Sequence, residues 1–229
     1  MIKDKGLLAI DLHTHTFFSG DSSTSFEEYI KYYKRSKLDL VAVTDHGTIN
    51  GALILKNDYG LNIIVGQEQR STQGDIIGLF LNKKLPAGLN PVALCESIKE
   101  QDGLTLIPHP CDNSRSSIKI NQLKELLERN LVDIIEIQNA KVRTIPELIK
   151  NLAKEYEVGI CACSDAHVGQ ALGACKTLVA PFKGQLQLKE ALLNAQIQGN
   201  FFDPPRPWKN QVLPSTSTIT RSNISYLQS

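Results

Sequence analysis

The sequence lacks the features that mark several common classes of protein. Its 229 residues carry a formal charge of +1 and only 6% aromatic residues, which disfavours a basic, aromatic groove that follows a nucleic acid strand. It has no apolar run long enough to cross a membrane, and its first residues lack the apolar core of a signal peptide. We therefore expect a soluble, cytoplasmic protein that does not contact membranes or bind long nucleic acids.

Cysteine and glycine are present, but without the motifs that would give them a chemical role. The five cysteines are an odd number with no disulfide-framework spacing and no Cys-x-x-Cys motif. Cys161 and Cys163 alternate along an expected strand and so share one face. We expect reduced thiols in the core. The glycines form no Gly-rich loop of the kind that holds phosphate groups.

Short β-branched runs alternate with amphipathic helical stretches along most of the chain. Strands are expected at residues 7–12, 40–44, 62–66, 75–81, 104–107, 132–137, 159–163 and 178–181. Helices are expected from about residue 24 and at residues 91–101, 122–129, 146–156 and 186–198. The alternation predicts an α/β fold whose mostly parallel sheet closes, or nearly closes, into a barrel. Residues 1–202 are expected to form one domain, followed by a tail at 203–229 that is first Pro-rich and then Ser/Thr-rich.

All five histidines lie where a strand-like run gives way to a loop. They are His13, His15, His46, His109 and His167, and the carboxylates at similar positions are Asp45, Glu68, Glu136 and Asp165. In a barrel of parallel strands, the C-terminal ends of the strands meet at one face. Each histidine alone could serve as an ordinary hydrogen-bonding group of the core. Together they predict a multinuclear metal centre at that face, because imidazole and carboxylate ligands favour Zn, Mn and Fe.

Six short motifs contain these residues. In chain order they are Asp-Leu-His-Thr-His-Thr at 11–16, Thr-Asp-His-Gly at 44–47, Gly-Gln-Glu at 66–68, Pro-His-Pro at 108–110, Ile-Glu-Ile-Gln-Asn at 135–139 and Ser-Asp-Ala-His at 164–167. This series resembles the motifs of the PHP (polymerase and histidinol phosphatase) family, and residues 181–200 resemble the small C-terminal segment of short PHP proteins. The resemblance implies a distorted, seven-stranded (β/α) barrel that holds two or three divalent metal ions and hydrolyses phosphoesters.

The resemblance also implies which residues bind each ion. The ligands of the first ion would be His13, His15, Glu68 and Asp165. Glu68 would bridge to a second ion that His109 also binds, and the ligands of the third ion would be Asp21, His46 and His167. Asp75 stands where the family often has a histidine. Aspartate can bind a hard ion, so the second site is expected to be altered or weaker, unless Asp75 is only the carboxylate of a hairpin turn.

The chemistry implied by the resemblance is attack on phosphorus by a hydroxide that bridges two metal ions. The expected catalytic residues are Asp165, as a metal ligand, and His46 and His167, either of which could protonate the leaving oxygen. Three loop arginines could bind phosphate or could simply be solvated charges: Arg70, Arg115 and Arg143. Asn139 could orient the substrate or cap a loop.

The sequence favours a metal-dependent phosphoesterase acting on a phosphomonoester or phosphodiester of a small metabolite or nucleotide. One alternative is a PHP-type exonuclease on short oligonucleotides, for which Arg206, Trp208 and Lys209 form one patch that could bind bases. Amide hydrolases also begin with His-x-His on a barrel strand, but they place a lysine at a strand end where this sequence has none. A non-catalytic module that binds metal or nucleotide is a further alternative, because Asp75 departs from the family pattern. The sequence does not indicate the oligomeric state.

Overall fold

Nine β-strands alternate with six α-helices through residues 6–202, the part of the chain that the computed structural model describes. The strands are β1 (Leu8–Thr14), β2 (Leu40–Val43), β3 (Ile63–Ser71), β4 (Gly74–Leu79), β5 (Leu104–Ile107), β6 (Ile134–Asn139), β7 (Gly159–Cys163), β8 (Cys175–Val179) and β9 (Gln196–Gly199). The helices are α1 (Phe26–Arg35), α2 (Asn50–Asn57), α3 (Pro91–Lys99), α4 (Ile120–Glu128), α5 (Glu147–Glu155) and α6 (Gly184–Leu192).

Strands β1 to β7 form the wall of a nearly closed barrel. They stand side by side in chain order, and neighbours are parallel except at β4, which runs antiparallel to β3 and β5. The two ends of the wall meet just beyond β7, where Thr14 forms a parallel bridge with Ala166 and the Asp165 amide donates to the His13 carbonyl at 2.9 Å. The predicted α/β fold with a distorted, mostly parallel barrel is therefore confirmed.

Strand β8 lies against both β1 and β7 and keeps the wall from closing completely. It pairs antiparallel with β1, and β9 pairs antiparallel with its other edge. Its contact with β7 is made by a side chain instead of a backbone ladder: the Thr177 hydroxyl accepts from the Ala162 amide at 2.9 Å and donates to the Ala162 carbonyl at 3.0 Å. One buried hydroxyl thus replaces the missing backbone pairing.

Apolar side chains fill both the barrel interior and the layer between the barrel and its helices. The strands β2 and β5 are buried at every position, as expected for strands covered on both faces. Val41 and Val43 pack against the helices, whereas Ala42 belongs to the inner group of apolar side chains, the one that fills the barrel interior. Leu188 and Leu192 of α6 join that inner group near the start of β7. Helix α6 therefore covers the N-terminal end of the barrel and leaves the C-terminal end open.

A β-bulge near the end of β1 turns His13 into the barrel. The register of β1 against β2 shifts between Asp11 and Thr14. Leu12 belongs to the inner core, so strict alternation would point Thr14 inward as well. The Thr14 hydroxyl instead lies 2.6 Å from the hydroxyl of Tyr29 on α1, outside the wall. Bulges commonly re-aim side chains next to active sites, and this one aims a predicted metal ligand.

Helix α2 was not predicted, and a glycine in its first turn explains why. Gly51 lowers the helical signal of a short segment, yet the structure has no room for a larger residue there. A Cβ atom at Gly51 would lie 2.1 Å from Asp45 Oδ2 and 2.6 Å from Thr16 Oγ1. The glycine therefore lets α2 pack directly on the carboxylate that organises the loop after β1.

The prediction of a last helix over residues 186–198 is wrong at its C-terminal end. Helix α6 ends at Leu192, and residues 196–199 form β9. The backbone groups of this segment pair with β8, so tertiary hydrogen bonding overrides the local helical pattern. The strand expected at residues 178–181 begins earlier, as β8 (Cys175–Val179).

The tail predicted at residues 203–229 lies outside the described residues, and so does the patch of Arg206, Trp208 and Lys209. Among the helices within residues 6–202, none combines the length and apolar character needed to span a membrane.

Replacing Thr177 with Val should destabilise the barrel where β8 meets β7. The change leaves the amide and carbonyl of Ala162 buried without their partner, which costs about 1–3 kcal/mol for each unsatisfied group. Urea denaturation would measure the loss, with Thr177→Ser as the matched control because it keeps the hydroxyl. Equal stability of the Val and Ser variants would contradict this role.

Candidate metal centre

The predicted metal ligands converge at the C-terminal end of the barrel. The strands and the loops that follow them supply, in chain order, His13, His15, Asp21, His46, Glu68, Asp75, His109, Asp165 and His167. Most of these side chains are buried, whereas His46 is 36% exposed and Asp21 is 50% exposed at the side chain. Groups that are far apart in sequence therefore form one continuous cluster, buried on one side and open to solvent on the other.

The deepest part of the cluster consists of His13, His15, Glu68 and Asp165. The Nε2 atoms of His13 and His15 lie 3.0 Å apart, and Glu68 Oε2 lies 3.3 and 3.4 Å from them. Asp165 Oδ1 lies 3.5 Å from both nitrogens. Four ligands held tetrahedrally at about 2.1 Å from one ion would be about 3.4 Å apart. The spacing and the donor atoms therefore fit a single divalent ion.

Glu68 connects this deep group to the neighbouring ligands. Its Oε1 atom lies 3.2 Å from His109 Nε2, whereas its Oε2 atom faces His13, His15 and, at 3.2 Å, His46 Nδ1. Glu68, Asp75 and His109 also offer ligand atoms within 4.8 Å of one another. The two oxygens of Glu68 thus face different groups, the arrangement that a bridging carboxylate requires.

A more exposed group contains Asp21, His46 and His167. Asp21 Oδ2 lies 3.4 Å from His46 Nε2 and 3.2 Å from His167 Nε2. His15, His46 and His167 also offer ring nitrogens within 4.8 Å of one another. The donor set again fits a divalent cation of the Zn, Mn or Fe class.

Burial and mutual charge set the protonation of the deep group. Burial acts to raise the pKa of Glu68, but the charge on His13 and the hydrogen bonds from His109 and His13 hold that pKa well below its usual range. Burial likewise opposes ionisation of Asp165, yet Lys141 and His13 hold its pKa well below the usual value. Burial and the charge on His167 lower the pKa of His15. The pKa of His13 is raised well above its usual value by Asp165 and Glu68 against the effect of burial, so one charged and one neutral imidazole accompany two ionised carboxylates. The group therefore keeps a net negative charge, which favours a bound cation.

Surrounding groups hold the ligands in position. Glu136, fully buried in β6, accepts from the His109 amide at 2.5 Å and lies 3.3 Å from His13 Nδ1. Asp45 accepts from the Thr16 amide at 2.7 Å and from the Ser19 hydroxyl at 2.9 Å. Such outer contacts fix the ring orientation of metal-binding histidines.

The backbone itself is strained at two of the predicted ligands. The φ angles of His109 and Asp165 are 31° and 50°, in the left-handed region that non-glycine residues rarely adopt. Strain of this kind costs about 1–3 kcal/mol per residue and persists only where the surroundings impose it. At Asp165, the hydrogen bond that its amide donates to the His13 carbonyl, where the barrel closes, is one such constraint.

The predicted substrate-binding residues fall into two groups. Arg70 and Arg115 line the cavity above the metal ligands, where Arg70 pairs with Asp75 and Arg115 with Asp165. Arg143 instead lies against the ring of Phe201. Asn139 is buried, donates to Glu136 at 3.0 Å and accepts from the Lys141 amide at 2.7 Å. Its amide oxygen therefore caps the loop after β6.

Lys141 is a site residue that the sequence analysis missed. Its Nζ atom lies 2.9 Å from His167 Nδ1 and 3.6 Å from Asp165 Oδ1, and its side chain lines the cavity. The only available signal was its position two residues after the end of β6, which many loop lysines share. Glu136, expected from the sequence only as a strand-end carboxylate, also contacts the site, through the His13 ring and the His109 amide.

The family model for the PHP domain matches residues 11–202, which includes every predicted ligand. The chain belongs to the PHP domain family. Two uncharacterized proteins of Methanocaldococcus jannaschii are similar to it: one is 41% identical over 113 residues, covering 44% of this chain and 66% of that protein. The other is 30% identical over 164 residues, covering 70% of this chain and 65% of that protein. The chain thus spans slightly less than two thirds of each relative's length.

Solved structures share the PHP fold at low sequence identity. A two-domain protein from Bacteroides vulgatus, which contains a predicted PHP-like metal-dependent phosphoesterase, has a TM-score of 0.71 and 18% identity, covering 87% of this chain and 68% of that one. A lesion-specific endonuclease from Pyrococcus furiosus has a TM-score of 0.63 and 14% identity, covering 83% of this chain and 57% of that one. These likenesses establish the fold alone.

Divalent metal should stabilise this PHP domain strongly. At a free Mn²⁺ concentration about 100 times Kd, binding adds about 2.7 kcal/mol to the free energy of unfolding, which for a chain of this size raises Tm by about 5–10 °C. Differential scanning fluorimetry with and without a chelator would measure the shift.

Two buried carboxylates offer a matched comparison for that experiment. Asp165→Asn should remove most of the metal-induced shift. Asp133→Asn alters a buried carboxylate that binds the Thr105 amide and Lys189 away from the centre, and it should keep the shift. A shift that survives in the Asp165 variant would exclude Asp165 as a ligand.

Proposed function

We propose that this protein is a metal-dependent hydrolase of a small soluble phosphoester. The observation that carries the proposal is the pairing of two kinds of charge in one cavity of about 600 Å³. Carboxylates and imidazoles suited to divalent cations form its floor, and Arg70, Arg115 and Lys141 present cationic groups beside them. A phosphoester can contact both kinds of group, whereas an uncharged amide has no use for the cations.

The ligand set described above would hold two or three ions of Mn, Zn or Fe. Bound there, divalent ions would supply neutralisation of phosphoryl charge and activation of water. His13, His15, Glu68 and Asp165 would form the deep site, and the groups around His109 and His167 would form its neighbours. Asp75 lies beside Glu68 and His109, which supports its use in the second site in place of the family's histidine.

The cationic side chains would bind the phosphoryl oxygens of the substrate. Arg115 is 22% exposed at the side chain and reaches Asp165, so its guanidinium already lies at the edge of the deep group. A planar guanidinium can donate two parallel hydrogen bonds to phosphate. Lys141, 29% exposed at the side chain, adds a second positive charge 3.6 Å from the other oxygen of Asp165. Together they would orient the ester above the metal ligands.

His46 and His167 are the candidates to deliver a proton to the leaving oxygen. Both line the cavity. Burial acts to lower the pKa of His167, but hydrogen bonds with Asp165 and Asp21 raise it to about 9. These contacts favour a protonated ring as long as no ion is bound to it, and only a ring free of metal could deliver a proton to the leaving oxygen.

A nuclease acting on short oligonucleotides is the second candidate. The structural likeness to a lesion-specific endonuclease supports it, and a cavity that is open at one end could admit a chain terminus. The net charge of +1 favours the small substrate, because strand-binding proteins need a basic surface.

Product formation by the manganese-loaded protein tests the proposal, measured as inorganic phosphate released from sugar phosphates and nucleotides and as mononucleotides released from short oligonucleotides. We expect a small phosphoester to be hydrolysed and the activity to be lost in chelator. Asp165→Ala should reduce kcat/KM by more than the 100-fold typical of residues that only support metal ligands.

The exposed carboxylate of Glu125 on α4 provides the control for that experiment, since within residues 6–202 its one ion pair is with Arg129, just past the end of the helix. Glu125→Gln should keep full activity. Phosphate release by a folded, metal-loaded Asp165→Ala at the wild-type rate would refute the assignment of the site. Activity confined to oligonucleotides would favour the nuclease.

A further inference from the structure

The cavity above the predicted metal ligands is lined mostly by polar and charged side chains. Its apolar lining residues are Val168, Ala171 and Phe201. Phe201 is 37% exposed, although most large apolar side chains of the described region are buried. A ligand with a charged end and a flat apolar end would match this division of the cavity.

Backbone contacts hold Phe201 in place at the cavity wall. Just before it, β9 pairs with β8, and Gln138 Nε2 donates to the Gly199 carbonyl at 2.6 Å. Just after it, the Phe202 amide donates to the Ala140 carbonyl at 2.7 Å, and the Phe202 side chain packs against the core. The two neighbouring rings therefore have different environments: one anchors the segment and the other faces the cavity.

Arg143 covers part of the Phe201 ring without lining the cavity. Its guanidinium carbon lies 4.2 Å from the ring centroid, within the range of a cation–π interaction. Arg143 is therefore placed as a support for the ring, which differs from the phosphate-binding role considered for it from the sequence. A ring supported in this way is preorganised, so little conformational freedom is lost when a ligand stacks on it.

We propose that Phe201 determines specificity by stacking against a planar heterocyclic base, so that the substrate is a small nucleotide. The inference rests on the proposed phosphoesterase function and adds the substrate class. The phosphate would lie among Arg70, Arg115 and Lys141, and the base would lie against Phe201, Val168 and Ala171. The cavity of about 600 Å³ lies within the range of about 300–1,000 Å³ typical of small-molecule sites.

Comparison of adenosine monophosphate with ribose phosphate isolates the contribution of the base. The two esters share a sugar and a phosphate, so the ratio of their kcat/KM values reports the base alone. Stacking of one base on an aromatic residue corresponds to about a 5- to 150-fold preference. We expect a ratio in this range for the wild-type protein.

Three variants then assign the preference to the ring. Phe201→Leu keeps apolar volume at the cavity wall but removes the aromatic face, and the ratio should fall towards one. Phe201→Ala should behave in the same way, whereas Phe201→Trp keeps an aromatic face and should keep the wild-type ratio. Thermal unfolding of each variant checks that the segment after β9 still folds. A ratio that is the same in wild type and Phe201→Leu would overturn the inference while leaving the phosphoesterase intact.

Calorimetric binding of adenosine monophosphate separates this inference from the proposed function. If no ester of the wider panel is hydrolysed but the nucleotide binds and Phe201→Leu weakens the binding, the phosphoesterase is refuted and the base-binding role of Phe201 is retained. If the nucleotide neither binds nor reacts better than ribose phosphate, the role of Phe201 is refuted.

Discussion

The site depends on the contacts between the carboxylate of Glu68 and the histidines around it. It is almost completely buried, and its two oxygens face His13, His15, His46 and His109. An isolated buried carboxylate would be strongly destabilising or would be neutralised. The protein avoids this by surrounding Glu68 with imidazoles that come from the end of β1 and from the loops after β1, β2 and β5. The fold and the chemistry of the site are therefore coupled through one side chain.

The rest of the barrel end serves to keep these groups at contact distance. The bulge in β1 turns His13 inward, and Glu136 holds both the His13 ring and the His109 backbone. Gly51 leaves room for Asp45, which fixes the loop that follows β1 through Thr16 and Ser19. None of these residues needs to touch a substrate. Each removes conformational freedom from a predicted metal ligand or from the loop beside one, which preorganises the site before a ligand binds.

The barrel and the convergence of its histidines could be predicted from sequence, because strand periodicity and strand-end position are local patterns. The bulge in β1, the support that Glu136 gives and the position of Lys141 could not be predicted, because they depend on contacts between residues far apart in the chain. Helix α2 could not be predicted because Gly51 weakens its local helical pattern, and the glycine is required by the close packing of α2 on Asp45. The sequence predicts helix at β9 because the strand depends on hydrogen bonds to β8, which lies about twenty residues earlier in the chain and outside the local pattern. Phe201 carried no sequence signal at all.

Electron paramagnetic resonance of the metal-free protein titrated with Mn²⁺ tests the central claim most directly, since it reports whether bound ions are neighbours. If Glu68 joins two sites, we expect a spin-coupled Mn²⁺ spectrum once more than one ion is bound. Glu68→Gln should convert that spectrum to the spectrum of isolated ions. A wild-type protein that shows only isolated Mn²⁺ at saturation would contradict a shared, multinuclear centre.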